Sequence, residues 1–277
     1  MSGRPEFITL FSSPTLAIIA VSQGMDNYAY VLANEVSGEA ALVDAMEAQS
    51  ILALEEVLGI KICTIFNTHH HGDHVGANSR LKKIRDGEGL NLEIYGSSFD
   101  YQHHRIAFQS KVVGDGDTIN WAHHQIKVLE IPGHTSGHLG YLLNDHLFCG
   151  DTVFLGGCGR LFEGTPTQMY HSIHKKIGTL NPHTKLYPAH EYSLQNLKFA
   201  AYLLEDEALV ERTRELEVKL SSEGTTLPTT VAHEYLFNPF FRIASEDYRR
   251  SLGFLDTLEK QDPVHAFAKI RSMKDSF

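Results

Sequence analysis

Four short polar segments, each directly behind an apolar, β-branched run, constrain this chain more than any other feature. They are Thr68-His69-His70-His71-Gly72-Asp73-His74, Pro132-Gly133-His134, Cys149-Gly150-Asp151 and Pro188-Ala189-His190-Glu191. The runs before them, residues 62–66, 126–131, 146–148 and 184–187, have the length and residue types of strands. Side chains released at the ends of several strands can converge on one place while the strands hold it rigid. Seven of them are of metal-ligating type: His69, His71, Asp73, His74, His134, Asp151 and His190. One tetrahedral ion cannot use them all, and two can.

The spacing says how they could be shared. His69 and His71 are two apart, so an extended segment puts both on one side and His70 on the other. Asp73 and His74 fall at the turn into the next helix. One ion can then take His69, His71 and His134, the other Asp73, His74 and His190, with the two oxygens of Asp151 as a bridge. Imidazole and carboxylate suit Zn, Fe or Mn, and the lack of a cysteine ligand weakens the case for a purely structural zinc. Two ions ~3.5–4 Å apart share a water, lower its pKa toward ~7 and stabilise an oxyanion. The expectation is a binuclear metallohydrolase that needs no serine or cysteine nucleophile.

A chain with 17 histidines contains adjacent pairs by chance. His103-His104 and His123-His124 are read as such pairs. With them go His138, His146, His171, His174, His183, His233 and His265, read as surface or satisfied core residues. The seven-residue set is different, because a dense H-x-H-x-D-H segment coincides with three further strand-end ligands. Gly156-Gly157-Cys158-Gly159 and Gly114-Asp115-Gly116-Asp117 lack the spacing of a phosphate-binding loop. Both are read as turns that let backbone approach the site.

Bulk properties narrow the partners. At 277 residues with 42% hydrophobic and 21% charged content, the chain can form one large or two smaller domains around a substantial core. Its net charge of −10 argues against nucleic acid or an anionic membrane surface. An anionic substrate would have to meet a local basic cluster. Cys63, Cys149 and Cys158 show no paired spacing and read as small buried thiols of a reducing compartment. No apolar stretch approaches ~18–20 residues, so no membrane span is expected. Residues 1–15 have no apolar core of a secretory signal. A cytoplasmic location is expected, with the mitochondrial matrix as the alternative.

Along the chain, strands are predicted at residues 16–21, 28–33 and 40–43, opening an antiparallel sheet. A helix over 50–58 precedes the first ligand strand, and a second runs from His74 to about Arg85. Residues 94–96 read as a strand edge and 112–117 as a tight turn. A helix over 167–180 lies between the last two ligand strands. The texture then changes: 196–219 is free of Gly and Pro and reads as one long helix. A linker over 221–228, a turn at Asn238-Pro239 and helices over 245–252 and 263–273 complete the chain. A boundary is placed near residue 193, giving a catalytic domain over 1–193 and a helical domain over 194–277.

The first ligand segment, residues 68–74, resembles the signature of the metallo-β-lactamase superfamily. The chain as a whole is similar to the glyoxalase II, or hydroxyacylglutathione hydrolase, family within it. The residues that carry this are Cys149-Gly150-Asp151-Thr152-Val153-Phe154, the run from Gly157-Cys158-Gly159-Arg160 to Thr165, His190-Glu191-Tyr192, Asn196-Leu197-Lys198-Phe199 and Phe237-Asn238-Pro239-Phe240. The match runs from about Val21 to the C-terminus. It implies an α/β fold: a four-layer αβ/βα sandwich with metals at the sheet edges, followed by a small all-helical C-terminal domain that binds substrate. It implies hydrolysis of S-D-lactoylglutathione to glutathione and D-lactate, the second step of methylglyoxal detoxification, by a hydroxide between two divalent ions. Zinc comes first, with iron or manganese as alternatives.

The resemblance also places glutathione contacts on Arg160, Tyr192, Arg271 and Lys274, with Asp73 as the catalytic ligand. Arg271 and Lys274 lie three apart on a predicted helix face and supply the basic cluster an anionic tripeptide needs. Two positions depart from the family pattern. Gly72 replaces a large aromatic residue and opens that wall of the site; Phe162 replaces a tyrosine and removes a hydroxyl. A small-molecule glutathione thioester is the expected partner and a monomer the expected state. The alternatives are another binuclear hydrolase of the superfamily, such as a lactonase, a mononuclear iron persulfide dioxygenase, or a silent binding scaffold.

Overall fold

The apolar runs at Leu16, Tyr28 and Ala40 become strands, and an edge strand that the pattern did not announce, Phe7–Ser13, precedes them. The structure, a computed structural model, describes residues 6–204, 207–255 and 262–277. Residues 1–5 of the segment read for targeting, and 205–206 inside the expected long helix, lie outside these.

The first sheet takes its strands in chain order. They are β1 (Phe7–Ser13), β2 (Leu16–Gln23), β3 (Asn27–Ala33), β4 (Glu39–Val43), β5 (Lys61–Phe66), β6 (Glu93–Ser97) and β7 (Lys111–Val113). Pairing is antiparallel from β1 to β4 and parallel from β4 to β7. Parallel neighbours need crossovers. These are supplied by α1 (Gln49–Leu58), by α2 (Gly72–Val75) with α3 (Asn78–Gly87), and by α4 (Ser98–Gln102). The second sheet uses β8 (Thr118–Trp121), β9 (His124–Glu130), β10 (Leu139–Leu143), β11 (His146–Gly150), β14 (Lys185–Pro188) and β15 (Thr229–Thr230), in the order β15-β14-β11-β10-β9-β8. Between its members, β12 (Val153–Phe154) and β13 (Gly157–Cys158) form a small hairpin.

The chain divides into two compact units: Met1–Glu130, Gly137–Asn144 and Phe148–Gly150 in the first; Ile131–Ser136, Asp145–Leu147 and Asp151–Phe277 in the second. In the first unit Ile51 and Leu54 of α1 and Leu81 of α3 bury against Ile19, Val31, Leu42, Ile65 and Ile94 of the sheet. Each such side chain contributes roughly 1.5–3 kcal/mol. Arg85 of α3 is wholly buried, and ties the layer together by donating to the Ile62 carbonyl at 2.9 Å, to Glu88 at 2.8 Å and to Glu55 of α1. Removing one partner of such a pair costs about 3–5 kcal/mol.

In the second unit, Thr165 and Gln168 form a capping box that starts α5 (Pro166–His171). The helical elements that follow are α6 (Ser193–Leu203), α7 (Glu207–Glu223), α8 (Val231–Phe237), α9 (Pro239–Arg242), α10 (Glu246–Ser251) and α11 (Pro263–Asp275). Phe240, Phe241, Phe267 and Ile270 are fully buried there. Glu234, also buried, accepts hydrogen bonds from the Gly156 amide at 2.9 Å, Thr229 at 2.7 Å and Asn238 at 2.7 Å. It fastens α8 to the hairpin loop. Burial pushes its carboxyl up to about 7.

Several local expectations are corrected. The helix from His74 to Arg85 is broken at Gly76-Ala77, because the Ala77 amide donates to Ala45 at 3.1 Å and the Met46 carbonyl crosses where a Gly76 side chain would stand. The long helix over 196–219 is two helices, since Leu204 is extended and α6 and α7 pack on each other. Residues 167–180 begin as α5, widen into a π turn over Ser172–Lys176 and tighten into a 3-10 turn over Ile177–Thr179. Val112 and Val113 belong to β7 rather than to the turn. Asn238 caps α9 with its side chain instead of only turning the chain. All three cysteines are free thiols, Cys149 and Cys158 buried and Cys63 partly so.

Candidate metal centre

In the first unit the ligand segment is a loop stapled from beneath. Asp44, at the end of β4, sits in the left-handed region with φ of 53°. One of its oxygens accepts the Thr68 amide at 2.8 Å; the other accepts the Thr68 hydroxyl at 2.6 Å and faces His74 Nδ1 at 2.9 Å. Asn67 donates to the His74 carbonyl at 3.1 Å and is itself held by Asn78 at 2.8 Å. The loop therefore closes on itself and presents its rings in fixed directions.

Those rings gather. His69 Nε2 and His71 Nδ1 lie 3.1 Å apart, and the ligating atoms of His69 and His74, and of Asp73 and His74, lie within 4.8 Å of each other. His69 and His74 are buried; His71 and Asp73 are partly open. Asp73 Oδ2 accepts from Asn27 Nδ2 at 3.0 Å and stands 3.6 Å from His74 Nε2. Since Nδ1 of His74 donates to Asp44, its Nε2 carries the lone pair, the arrangement a carboxylate imposes on a metal-binding imidazole. Carboxylate oxygen and neutral imidazole nitrogen at these separations fit a divalent cation such as zinc, iron or manganese.

The second unit builds a complementary cluster. The Asp151 carboxylate lies between two imidazoles, with Oδ2 3.4 Å from His134 Nε2 and Oδ1 3.5 Å from His190 Nε2. His134 Nδ1 donates to the Arg160 carbonyl at 2.9 Å, which again leaves Nε2 as the ligating atom. His190 stacks on Tyr192 with centroids 4.8 Å apart and planes 7° apart, and meets the edge of Phe154. Gly159 is the close approach expected of the glycine run: a Cβ there would lie 2.0 Å from the Asp151 carbonyl and 3.1 Å from His134 Nδ1.

The four residues expected to meet substrate all lie in the second unit. Arg160 is exposed, and its Nε lies 3.6 Å from Asp275. Arg271 is buried instead of solvated: it donates to the Cys158 carbonyl at 2.7 Å and to Asp275 at 3.0 Å. Lys274 lies over the Phe199 ring at 5.0 Å, and burial, reinforced by Arg271, lowers its pKa to about 8. Phe162 is exposed, with its ring against His134 at 5.2 Å. At Gly72 nothing lies within 4 Å of where a Cβ would stand, so the wall there is open as expected.

Sequence reasoning missed three supports of this site. Asp44 is one. His138, read as a satisfied core histidine, is buried and stacks on His69 at 4.7 Å. His70, placed facing away, contacts Asp100 and Arg105. No signal of residue type or short-range spacing separates these from ordinary core polar residues.

A model of the metallo-β-lactamase superfamily matches residues 24–190, and one for the hydroxyacylglutathione hydrolase C-terminus matches 191–277. A hydroxyacylglutathione hydrolase of Gloeobacter violaceus is 43% identical over 255 residues, spanning 91% of this chain and 96% of that one. The chain belongs to the hydroxyacylglutathione hydrolase family. The relative from Crocosphaera subtropica is 40% identical over 260 residues with the same coverage. Among solved structures, BLEG-1 B3 metallo-β-lactamase superposes with a TM-score of 0.60 at 21% identity, covering 82% of this chain and 99% of that one. The expected fold, a metallo-β-lactamase sandwich followed by a helical C-terminal region, is borne out. Among the described residues no helix is long and apolar enough to cross a membrane.

Proposed function

We propose that this hydroxyacylglutathione hydrolase family member cleaves S-2-hydroxyacylglutathione thioesters, S-D-lactoylglutathione among them, to glutathione and D-lactate. The observation that carries the reading is the 43% identity to the Gloeobacter hydroxyacylglutathione hydrolase along 96% of that protein, helical C-terminal part included. In this reading His69, His71 and His134 hold one divalent cation, and Asp73, His74 and His190 a second. The Asp151 carboxylate would complete the ligand set. Zinc is the first candidate, with iron or manganese next. Two such cations supply an acidified water and an electrophile for the thioester carbonyl.

The chain's own groups do the rest. Asp73, held by Asn27, presents one carboxylate at the site of bond breaking. Arg160 and Lys274, with Tyr192 beside His190, orient the anionic peptide; Arg271 acts from below through the Cys158 carbonyl and Asp275. The thiolate, with a parent pKa near ~8.5, leaves without obligatory protonation. The open wall at Gly72 admits varied acyl groups. We place the catalytic domain at 1–193 and the substrate-binding domain at 194–277, and read the enzyme as a cytoplasmic monomer, since one chain supplies every group named.

The test is a spectrophotometric thioester assay on purified protein, paired with elemental analysis of the same sample. Thioester loss with about two metals per chain is expected. Absence of hydrolysis after loading with zinc, iron or manganese in turn would overturn the reading.

A further inference from the structure

We infer that His70, which stands between two ligand histidines, is a positioning residue: with Asp100 and Arg105 it fixes the direction in which His69 and His71 present their nitrogens. The inference rests on the metal-binding part of the proposed function and is independent of the substrate.

The protonation pattern follows from one contact. Arg105 Nη2 lies 2.7 Å from His70 Nε2. A guanidinium only donates and does not lose its proton, so His70 Nε2 must accept. A neutral imidazole has one N–H, which then sits on Nδ1. That nitrogen faces Asp100 Oδ1 at 3.4 Å, and Arg105 Nη1 faces the same oxygen at 3.7 Å. His70 is thus held as one tautomer, between a cation and a carboxylate.

Asp100 cannot drift. It is wholly buried, its amide donates to Ser97 Oγ at 3.0 Å, and Ser97 Oγ donates back to its Oδ2 at 2.9 Å. Gly137 leaves room for this: a Cβ there would lie 2.5 Å from Ser97 Oγ and 2.6 Å from Asp100 Oδ2. Arg105 is anchored in turn, its amide donating to the Asp100 carbonyl at 2.9 Å and its guanidinium lying over Phe99. The brace therefore starts from α4 and ends on the His70 ring. That ring lies 4.8 Å from the His71 ring and 6.3 Å, edge-on, from the His69 ring. Packing alone would be served by an apolar ring. The acid is wholly buried and the imidazole and the cation are partly so; holding them together carries a desolvation cost that a directional demand explains.

The experiment uses cobalt(II) as the probe. His70→Phe keeps the ring volume and removes both polar contacts; His70→Asn keeps a donor close to the Nδ1 position. Cobalt affinity is measured by competition with a chelator, together with the visible absorption of the bound ion and the unfolding midpoint of the metal-free protein. A loss of roughly 10–100-fold in affinity with an altered spectrum is expected for His70→Phe, partial recovery for His70→Asn, and a metal-free midpoint near that of the parent. Parental affinity and spectrum in His70→Phe would overturn the inference. Should that variant not fold, nitrogen NMR of the unaltered metal-free protein decides: the Nδ1–H tautomer at His70 is expected, and an Nε2–H tautomer overturns the inference. If the unaltered protein binds no cobalt, the two-metal reading fails, while the tautomer still judges the brace.

Discussion

Four ligand-type residues of the first unit fall within one short loop, His69 to His74, whereas those of the second, His134, Asp151 and His190, come from three separate stretches. The first set is local in sequence, and its order is enforced from below: the buried Asp44 and Asn67 bond to the segment from Thr68 to His74, and the buried Asn78 holds Asn67. The second set is non-local, and its order is enforced by backbone approaching backbone, as at Gly159. A loop braced by side chains fails when an acceptor is removed. A cluster set by close backbone approach fails when volume is added.

The comparison can be broken most severely at Asp73. Asp73→Ala should leave one metal per chain by elemental analysis and reduce thioester turnover by roughly 10³-fold or more. An active variant holding both metals would remove Asp73 from the site. Next comes the brace itself. Asp44→Ala leaves the Thr68 amide, the Thr68 hydroxyl and His74 Nδ1 without their buried acceptor, and should cost about 3–5 kcal/mol in denaturant unfolding. A cost below about 1 kcal/mol would mean the loop stands without it.

For the second unit the matching change is Gly159→Ala, whose Cβ would press on the Asp151 carbonyl. About 2–3 kcal/mol of destabilisation is expected, with weakened metal binding and no polar contact removed. Wild-type stability would show that the backbone can give way there.

Smaller effects sharpen the contrast through pH. Burial, helped by Lys185, lowers His146 to about 4, and burial lowers His174 to about 4. Their unfolded forms take up protons first, so the stability they confer is complete above about pH 6.5 and is lost as pH falls toward 4. Glu234, held near 7, works in the opposite sense: its share is present below about 4.5 and is lost as pH rises through 7. Unfolding midpoints between pH 4 and 6.5 should therefore climb with pH, less steeply in His146→Gln; an unchanged slope in that variant would contradict the assignment. The smallest change expected is in Arg160→Ala, which should raise KM for an anionic glutathione thioester about 3–10-fold with kcat nearly unchanged. An unchanged KM would place the peptide elsewhere.

Much of the architecture is legible in the sequence. Residues 16–66 alternate apolar runs with turn residues closely enough that β2, β3, β4, α1 and β5 stand where the pattern put them. Ends and interruptions were not legible. Gly76 resembles a tolerated helical glycine until the Met46 carbonyl is seen crossing it, and Leu204 has nothing in its neighbourhood to announce an extended residue inside a helical stretch. The edge strand β1 was missed because its apolar positions are only half-buried and polar residues interrupt them.

By itself the sequence determined which side chains can bind metal, that they follow strands, and which family the chain joins. Those properties depend on residue type and short spacing, which are one-dimensional. Only the tertiary structure decided that Asp44 aims His74, that His70 meets Asp100 and Arg105, and that Arg271 is spent on the Cys158 carbonyl and Asp275. Each of these is a direction imposed on a polar group by a partner, most of them tens of residues away, and burial makes that partner obligatory.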